Sequence, residues 1–134
     1  MGMNRADKIM ETYSYDHWYL AGHSLGGAMA AVYADKNSEK LDGLIFLAAY
    51  STKDLSDTNL KVLSIYGSND GVVNMDKVTE GRKLMPSAYE EFCIQGGNHA
   101  GYGDYGAQKD DGEADISAKE EQEETAEKIV EFGE

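Results

Sequence analysis

The hydrophobic positions of this chain fall into four short apolar runs, and segments that favour helix lie between the first and second runs and between the third and fourth. The runs are HWYLA (17–21), LIFLAA (44–49), KVLSIY (61–66) and YEEFCIQ (89–95). Continuous apolar runs of this length are typical of strands that are covered on both faces. Two glutamates interrupt the fourth run, so we expect that strand at an edge of the sheet.

Helical segments are predicted before, between and after these runs. They comprise residues 4–13, an alanine-rich stretch at 28–34, residues 75–85, and a last helix that a capping box at 117–120 opens. In that last helix we expect Ala126, Ile129 and Val130 to face inward. Buried strands that alternate with helices predict an α/β fold, with a mostly parallel sheet of about four strands and helices on both faces. The 134 residues are enough for a single domain, 1–134, and too few for two.

Three polar residues that can carry hydrolytic chemistry each follow a predicted strand. Ser24 follows the first, Asp70 the third and His99 the fourth. The carboxyl ends of parallel strands meet at one edge of a sheet, where the sites of α/β proteins gather. We therefore expect the three side chains to lie together, with Ser24 as nucleophile, His99 as its general base and Asp70 orienting the histidine.

Ser24 lies in GHSLG (22–26), which fits the G-x-S-x-G pattern of a nucleophile elbow. A strand that turns sharply into a helix leaves room only for small residues two positions before and after the serine. We therefore expect Gly22 and Gly26 to be sterically required, and Ser24 to adopt strained backbone. The alternative is that Ser24 is an ordinary helix N-cap.

The choice of base and acid rests on position along the chain, and alternatives stay open. His23 adjoins the serine and is badly placed to accept its proton, whereas His17 opens a strand at the opposite end of the sheet. His99 could also be a loop histidine without a role, and Asp70 could serve only its turn. Two rival acids follow the second strand: Asp54 and Asp57.

These motifs together resemble the α/β-hydrolase superfamily. They are GHSLGG around Ser24, YGSND ending at Asp70 and GGNHAGYG around His99, in the chain order Ser, Asp, His. The segment from His99 to the last helix is similar to a bacterial group of small α/β-hydrolases. The resemblance implies a serine hydrolase of carboxylesterase type, which cleaves acyl esters or related bonds through an acyl-enzyme and needs no metal or organic cofactor.

The resemblance covers only the C-terminal part of the family's fold, since members begin with further strands and only 16 residues precede HWYLA here. We therefore expect a truncated domain. The family places one oxyanion-hole donor on the residue after the nucleophile, here Leu25, and the other on an early loop that we expect to be absent. The alternative function is a catalytically poor remnant that acts as an oligomeric or partner-binding module. An exposed edge of the first strand predicts self-association, most simply as a homodimer.

The acidic charge of the chain argues against several classes of partner. The formal net charge is −13, and residues 104–134 contribute 12 acids and three lysines, a net of −9. Phosphate contacts require lysine and arginine, so we expect neither nucleic acid nor a membrane as partner. We expect the acidic segment to form a solvated loop and helix face. The acids within it lack the loop spacing of an EF-hand calcium site: Asp110, Asp111, Glu113 and Asp115.

Location and substrate size are predicted from what the sequence lacks. No apolar run approaches the ~20 residues of a membrane span, and the N-terminus has no signal-peptide pattern, so we expect a cytoplasmic protein. The connection at 51–59 is too short for a lid domain, which favours small, soluble acyl substrates.

Overall fold

A computed structural model, which describes residues 3–103, 106 and 108–134, contains four α-helices and four strands over these residues. The helices are α1 (Met3–Thr12), α2 (Leu25–Lys36), α3 (Met75–Gly81) and α4 (Ala118–Gly133). The strands are β1 (Tyr19–His23), β2 (Gly43–Leu47), β3 (Lys61–Gly67) and β4 (Tyr89–Ile94). Short 3-10 turns lie at Ser38–Lys40, Arg82–Leu84 and Ala100–Tyr102. Over this part of the chain, no helix is long and apolar enough to cross a membrane.

The four strands form one parallel sheet in the order β1-β2-β3-β4. Each strand pairs with the next along the chain, so every connection is a crossover and all the carboxyl ends lie along one edge. The predicted α/β fold, with a parallel sheet of about four strands, is confirmed. β4 lies at one edge, as its two glutamates predict, and β1 lies at the other.

The first strand begins two residues later than its apolar run. The backbone N–H of Trp18 donates to the carboxylate of Asp42 at 2.8 Å, so a side chain satisfies it in place of a neighbouring strand. At the other end, the N–H of Ser24 still donates to the carbonyl of Leu47 at 2.9 Å. Strand pairing therefore continues into the turn that carries the serine.

The sheet separates two apolar layers, as the period-two alternation of a strand requires. Leu44 and Phe46 of β2 face α2, whereas Ile45 faces the opposite side. The α2 layer also contains Ala30, Ala31, Ala34, Leu55, Leu60 and Val62. The opposite layer contains Leu63, Ile65, Ile94 and Phe132, the last of these on α4. Helices therefore cover both faces of the sheet, as predicted.

The buried face of α4 differs from the one predicted. Ala126 and Val130 are exposed, Val130 at 62%, and Ile129 is only half-buried. The residues that α4 buries are spaced by four and seven positions: Glu121, Thr125 and Phe132. The inner face therefore contains two polar side chains, and Glu121 takes an inward position because its carboxylate accepts a hydrogen bond from the loop after β4.

Candidate active site

Ser24 sits between β1 and α2 in a backbone conformation that residues with a Cβ rarely adopt. Its φ is 56° and its ψ is −124°, as a sharp strand-to-helix turn requires. Ser24 occupies the N-cap position of α2, but its side chain makes no capping hydrogen bond. Its Oγ lies instead 2.9 Å from Nε2 of His99. The helix-cap alternative for this side chain is therefore wrong.

The glycines around Ser24 differ in how tightly they are packed. A Cβ at Gly22 would lie 2.5 Å from the nitrogen of Gly27 and would overlap the carbonyl of Gly26. A Cβ at Gly26 would meet nothing within 4 Å, so the expectation of a steric requirement there is wrong. The second tight position is Gly27, where a Cβ would overlap that of Ala49. Gly27 is buried between α2 and the end of β2, whereas Gly26 is exposed.

The three side chains predicted to react together are brought into one hydrogen-bonded chain. His99 Nδ1 lies 2.8 Å from Asp70 Oδ2, and His99 Nε2 lies 2.9 Å from Ser24 Oγ. The side chains of His99 and Asp70 are 2% and 1% exposed. In this geometry the imidazole can accept the serine proton at Nε2 while the carboxylate fixes the tautomer at Nδ1.

Asp70 organises its own turn as well as facing His99. Its Oδ1 accepts hydrogen bonds from the N–H groups of Val72 and Val73, both at 2.8 Å, while Oδ2 faces the histidine. The turn role and the role toward His99 therefore use different oxygens of one carboxylate. The bonds to the turn hold the carboxylate plane in place.

The rival acids and the first histidine lie away from this cluster. Asp54 accepts from the N–H and hydroxyl of Ser56 at 3.0 and 2.6 Å, and these bonds hold its pKa below the usual value. Asp57 and His17 line a hollow of about 760 Å³ at the opposite end of the sheet. His17 is exposed there and lies 3.3 Å from the carboxylate of Asp42.

His23 contacts the backbone of His99, a role that was not predicted from the sequence. Its Nε2 lies 2.8 Å from the carbonyl oxygen of His99, and the two rings are 4.8 Å apart between centroids. A carbonyl can only accept, so Nε2 of His23 carries the proton and donates. Burial lowers the pKa of His23 and outweighs the hydrogen bond to His99, which raises it. His23 thus holds the backbone of His99 through a donated hydrogen bond.

A small cavity opens beside Ser24 and His99. Its volume is about 240 Å³, and much of its wall is apolar. Residues that line it include Ser24, Leu25, Ala28, Ala48, Val73 and His99. Leu25 is the first residue of α2, so no carbonyl of that helix accepts its N–H. The residue as a whole is 75% exposed.

Asp111 is the main site residue that was not predicted. Its Oδ1 accepts from the N–H groups of Gly71, His99 and Gly112 at 3.1, 3.0 and 2.9 Å, and its Oδ2 accepts from Ala100 at 2.9 Å. Burial acts to raise the pKa of Asp111, but these four N–H groups outweigh it and hold the pKa below its usual value. The expectation that this residue belongs to a solvated acidic loop is therefore wrong.

A second unpredicted carboxylate, Glu121 of α4, lies behind the histidine loop. It is fully buried, and its Oε1 accepts from the N–H of Asn98 at 2.7 Å. Its Oε2 has no hydrogen-bond partner among the residues that the structure describes. Burial raises the pKa of Glu121, and the nearby charges of Asp111 and Asp70 raise it further. Over the same residues, no three His, Cys, Asp or Glu side chains form a group that could hold a metal.

The sequence also matches a model of a known protein family. Residues 1–123 match the sequence model of the alpha/beta hydrolase family. No curated protein matches this sequence.

Solved hydrolase structures share this fold at low sequence identity. A meta-cleavage product hydrolase from Pseudomonas fluorescens gives a TM-score of 0.73 at 12% identity, over 97% of this chain and 69% of that one. Paleococcus ferrophilus monoacylglycerol lipase gives a TM-score of 0.68 at 13% identity, over 98% of this chain and 74% of the lipase. A predicted CIB-like hydrolase from Thermoplasma acidophilum gives a TM-score of 0.68 at 17% identity, over 96% of this chain and 57% of that hydrolase. The chain thus spans 57% to 74% of the length of these three structures.

Proposed function

Because this chain belongs to the alpha/beta hydrolase family, we propose that it is a serine hydrolase that cleaves carboxylic esters or related acyl bonds through an acyl-enzyme. The observation that carries the proposal is the hydrogen-bonded chain from Ser24 through His99 to Asp70. A serine hydroxyl is a weak nucleophile until a base removes its proton, and this arrangement supplies the base and the group that orients it.

Acylation begins when Ser24 Oγ attacks the acyl carbon and His99 Nε2 takes the hydroxyl proton. The carbonyl electrons move onto oxygen, and the N–H of Leu25 donates to that oxyanion. The tetrahedral intermediate then collapses, the bond to the leaving alcohol breaks, and His99 returns the proton to that alcohol. Asp70 accepts from Nδ1 throughout and stabilises the imidazolium that forms in between.

Deacylation repeats these steps with water as the nucleophile. His99 removes a proton from the water as its oxygen attacks the acyl carbon. The bond to Ser24 Oγ then breaks, His99 protonates that oxygen, and the carboxylic acid leaves. Acid and alcohol are the products, and the side chains return to their starting protonation states.

The dimensions of the site favour short acyl groups. A cavity of about 240 Å³ with much apolar wall accommodates a few carbon atoms beside the scissile bond. Ala28 and Ala48 in the wall leave the space next to Ser24 open. A monoacylglycerol lipase is among the structures that share this fold, which agrees with an ester as the bond cleaved.

The second candidate function is a binding module that uses the edge of the sheet. β1 has a neighbour on one side only among the described residues, and Tyr19 on this strand is 36% exposed. Such an edge can pair with another strand. A homodimer through β1 is the arrangement we propose for this candidate, and it is compatible with hydrolysis as well.

Labelling with a fluorophosphonate, which reacts covalently with activated serines, tests the hydrolase proposal. Wild type and the exposed-serine control Ser14→Ala should be labelled, whereas Ser24→Ala should not, with all three giving the same circular dichroism. Equal labelling of Ser24→Ala would remove Ser24 from the mechanism. Failure of wild type to react, together with a stable dimer, would favour the binding module.

A further inference from the structure

Asp111 connects the two loops that carry the acid and the base. Strand pairing between β3 and β4 ends at Gly67 and Ile94. Backbone hydrogen bonds from Ser68 to Ile94 and from Asn69 to Gly97, at 3.0 and 2.8 Å, still join the start of the two loops, but they stop short of Asp70 and His99. The 2.8 Å bond between their side chains therefore depends on contacts within the loops.

The N–H groups that Asp111 accepts from flank both ends of that bond. Gly71 follows Asp70 directly, and the other two loop donors belong to His99 itself and to Ala100. One carboxylate thus fixes the backbone on both sides of the pair. Hydrogen bonds to a charged acceptor are about twice as strong as neutral ones, which makes this a firm connection.

From this arrangement we infer that Asp111 is a positioning residue for the His99–Asp70 pair. This inference rests on the proposed function for its effect on turnover, whereas the geometry it concerns is that of the protein without substrate. Asp111 does not line the cavity beside Ser24, so we assign it no direct part in the reaction. It acts by holding the imidazole where Nε2 meets Ser24 and Nδ1 meets Asp70.

The chemistry of the side chain defines the informative variants. Asp111→Asn keeps one acceptor oxygen but replaces the other with an NH₂ group, so either Ala100 or the three donors on Oδ1 lose their acceptor. Asp111→Ala removes both oxygens. The matched control is Asp110→Asn, which deletes the same charge one residue away at an exposed site. Asp110 has a φ of 67°, a conformation that asparagine tolerates.

Loss of this connection should lower turnover without weakening substrate binding. A displacement of about 1 Å in a catalytic group costs about 10²-fold in rate. We expect kcat to fall about 10²-fold in Asp111→Ala and on the order of tenfold in Asp111→Asn, with KM little changed. Asp110→Asn should retain the activity of wild type.

The decisive measurement is the proton NMR signal of the His99 Nδ1–H, which needs no substrate. A proton held between imidazole and carboxylate resonates at low field, and its absence in His99→Gln assigns it. Asp111→Asn and Asp111→Ala should shift or broaden this signal, whereas Asp110→Asn should leave it unchanged. If Asp111→Ala does not fold, the signal of Asp111→Asn alone tests the positioning role.

Four results would separate the possibilities. An unchanged signal and unchanged kcat in a folded Asp111→Asn would overturn the positioning role, as would a wild type without the low-field signal. A wild type with the signal but without hydrolysis would refute the proposed function, and a signal that shifts or broadens in Asp111→Asn would then still support the positioning role. A fall in melting temperature alone, with signal and kcat unchanged, would make Asp111 merely structural and overturn the inference.

Discussion

Replacing Gly22 with alanine should disrupt the turn that carries Ser24, whereas the same replacement at Gly26 should not. The new Cβ at Gly22 would lie 2.5 Å from the nitrogen of Gly27, and ordinary contact begins at 3.4 Å. β1 and the first turn of α2 would therefore have to separate by about 0.9 Å or more. Both clashing groups are backbone, which cannot rotate aside, so we expect the upper end of the usual overpacking cost, ~3 kcal/mol.

The two alanine variants should differ measurably in melting temperature. With an unfolding entropy of ~2.1 cal/mol/K per residue, a loss of ~3 kcal/mol lowers the Tm of this chain by roughly 10 °C. At Gly26, which is exposed and helical, alanine should add ~0.5–1 kcal/mol and raise Tm by roughly 2–4 °C. Thermal unfolding by circular dichroism gives both values. Similar Tm changes in the two variants, or a Gly22→Ala variant as stable as wild type, would refute the steric argument.

Three further predictions concern the acid, the buried glutamate and the sheet edge. Asp70→Asn should reduce kcat by about 10⁴-fold with the fold intact, because His99 then adopts the wrong tautomer; if Asp54→Asn has that effect instead, the acid is misassigned. Burial raises the pKa of Glu121 in the folded protein above its pKa in the unfolded chain, which is about 4.3. Ionisation of this carboxyl therefore destabilises the fold as the pH rises above about 4.3. The stability of Glu121→Gln relative to wild type should therefore increase from pH 4 towards neutrality in denaturant titrations, and a constant difference would contradict this. Light scattering should show that the wild type self-associates. The variant Ala21→Pro should be a monomer, because proline removes a backbone N–H on the outer side of β1. A monomeric wild type at micromolar concentration would exclude pairing through this edge.

The sheet and the ends of its strands could be predicted because their signals are local. A run such as LIFLAA must be covered on both faces, and a residue that follows such a run must lie at the edge where the sites of parallel sheets gather. Ser24, Asp70 and His99 were identified in this way. The start of β1 was misplaced because Asp42, distant in sequence, satisfies the N–H of Trp18.

The supporting carboxylates could not be predicted, because their role depends on donors that only the fold brings near. Asp111 and Glu121 are two of 12 acids in the last 31 residues, and nothing in the sequence distinguishes them from their solvated neighbours. The same cause misdirected the prediction for α4, where Val130 is apolar yet exposed while Glu121 is charged yet buried. Apolar spacing cannot identify an inward face that a polar contact defines.

The way His99 is held has a consequence for partly opened states of the protein. Its N–H, its carbonyl and its two ring nitrogens each bond a different residue: Asp111, His23, Asp70 and Ser24. These partners belong to three separate places along the chain, since His23 and Ser24 are neighbours, so local opening of the loop after β4 releases all four bonds together. Residual activity then measures the population of closed molecules rather than a graded loosening of the site. Activity and amide hydrogen exchange of this loop should therefore report the same free energy of opening, a sub-global value smaller than that of complete unfolding.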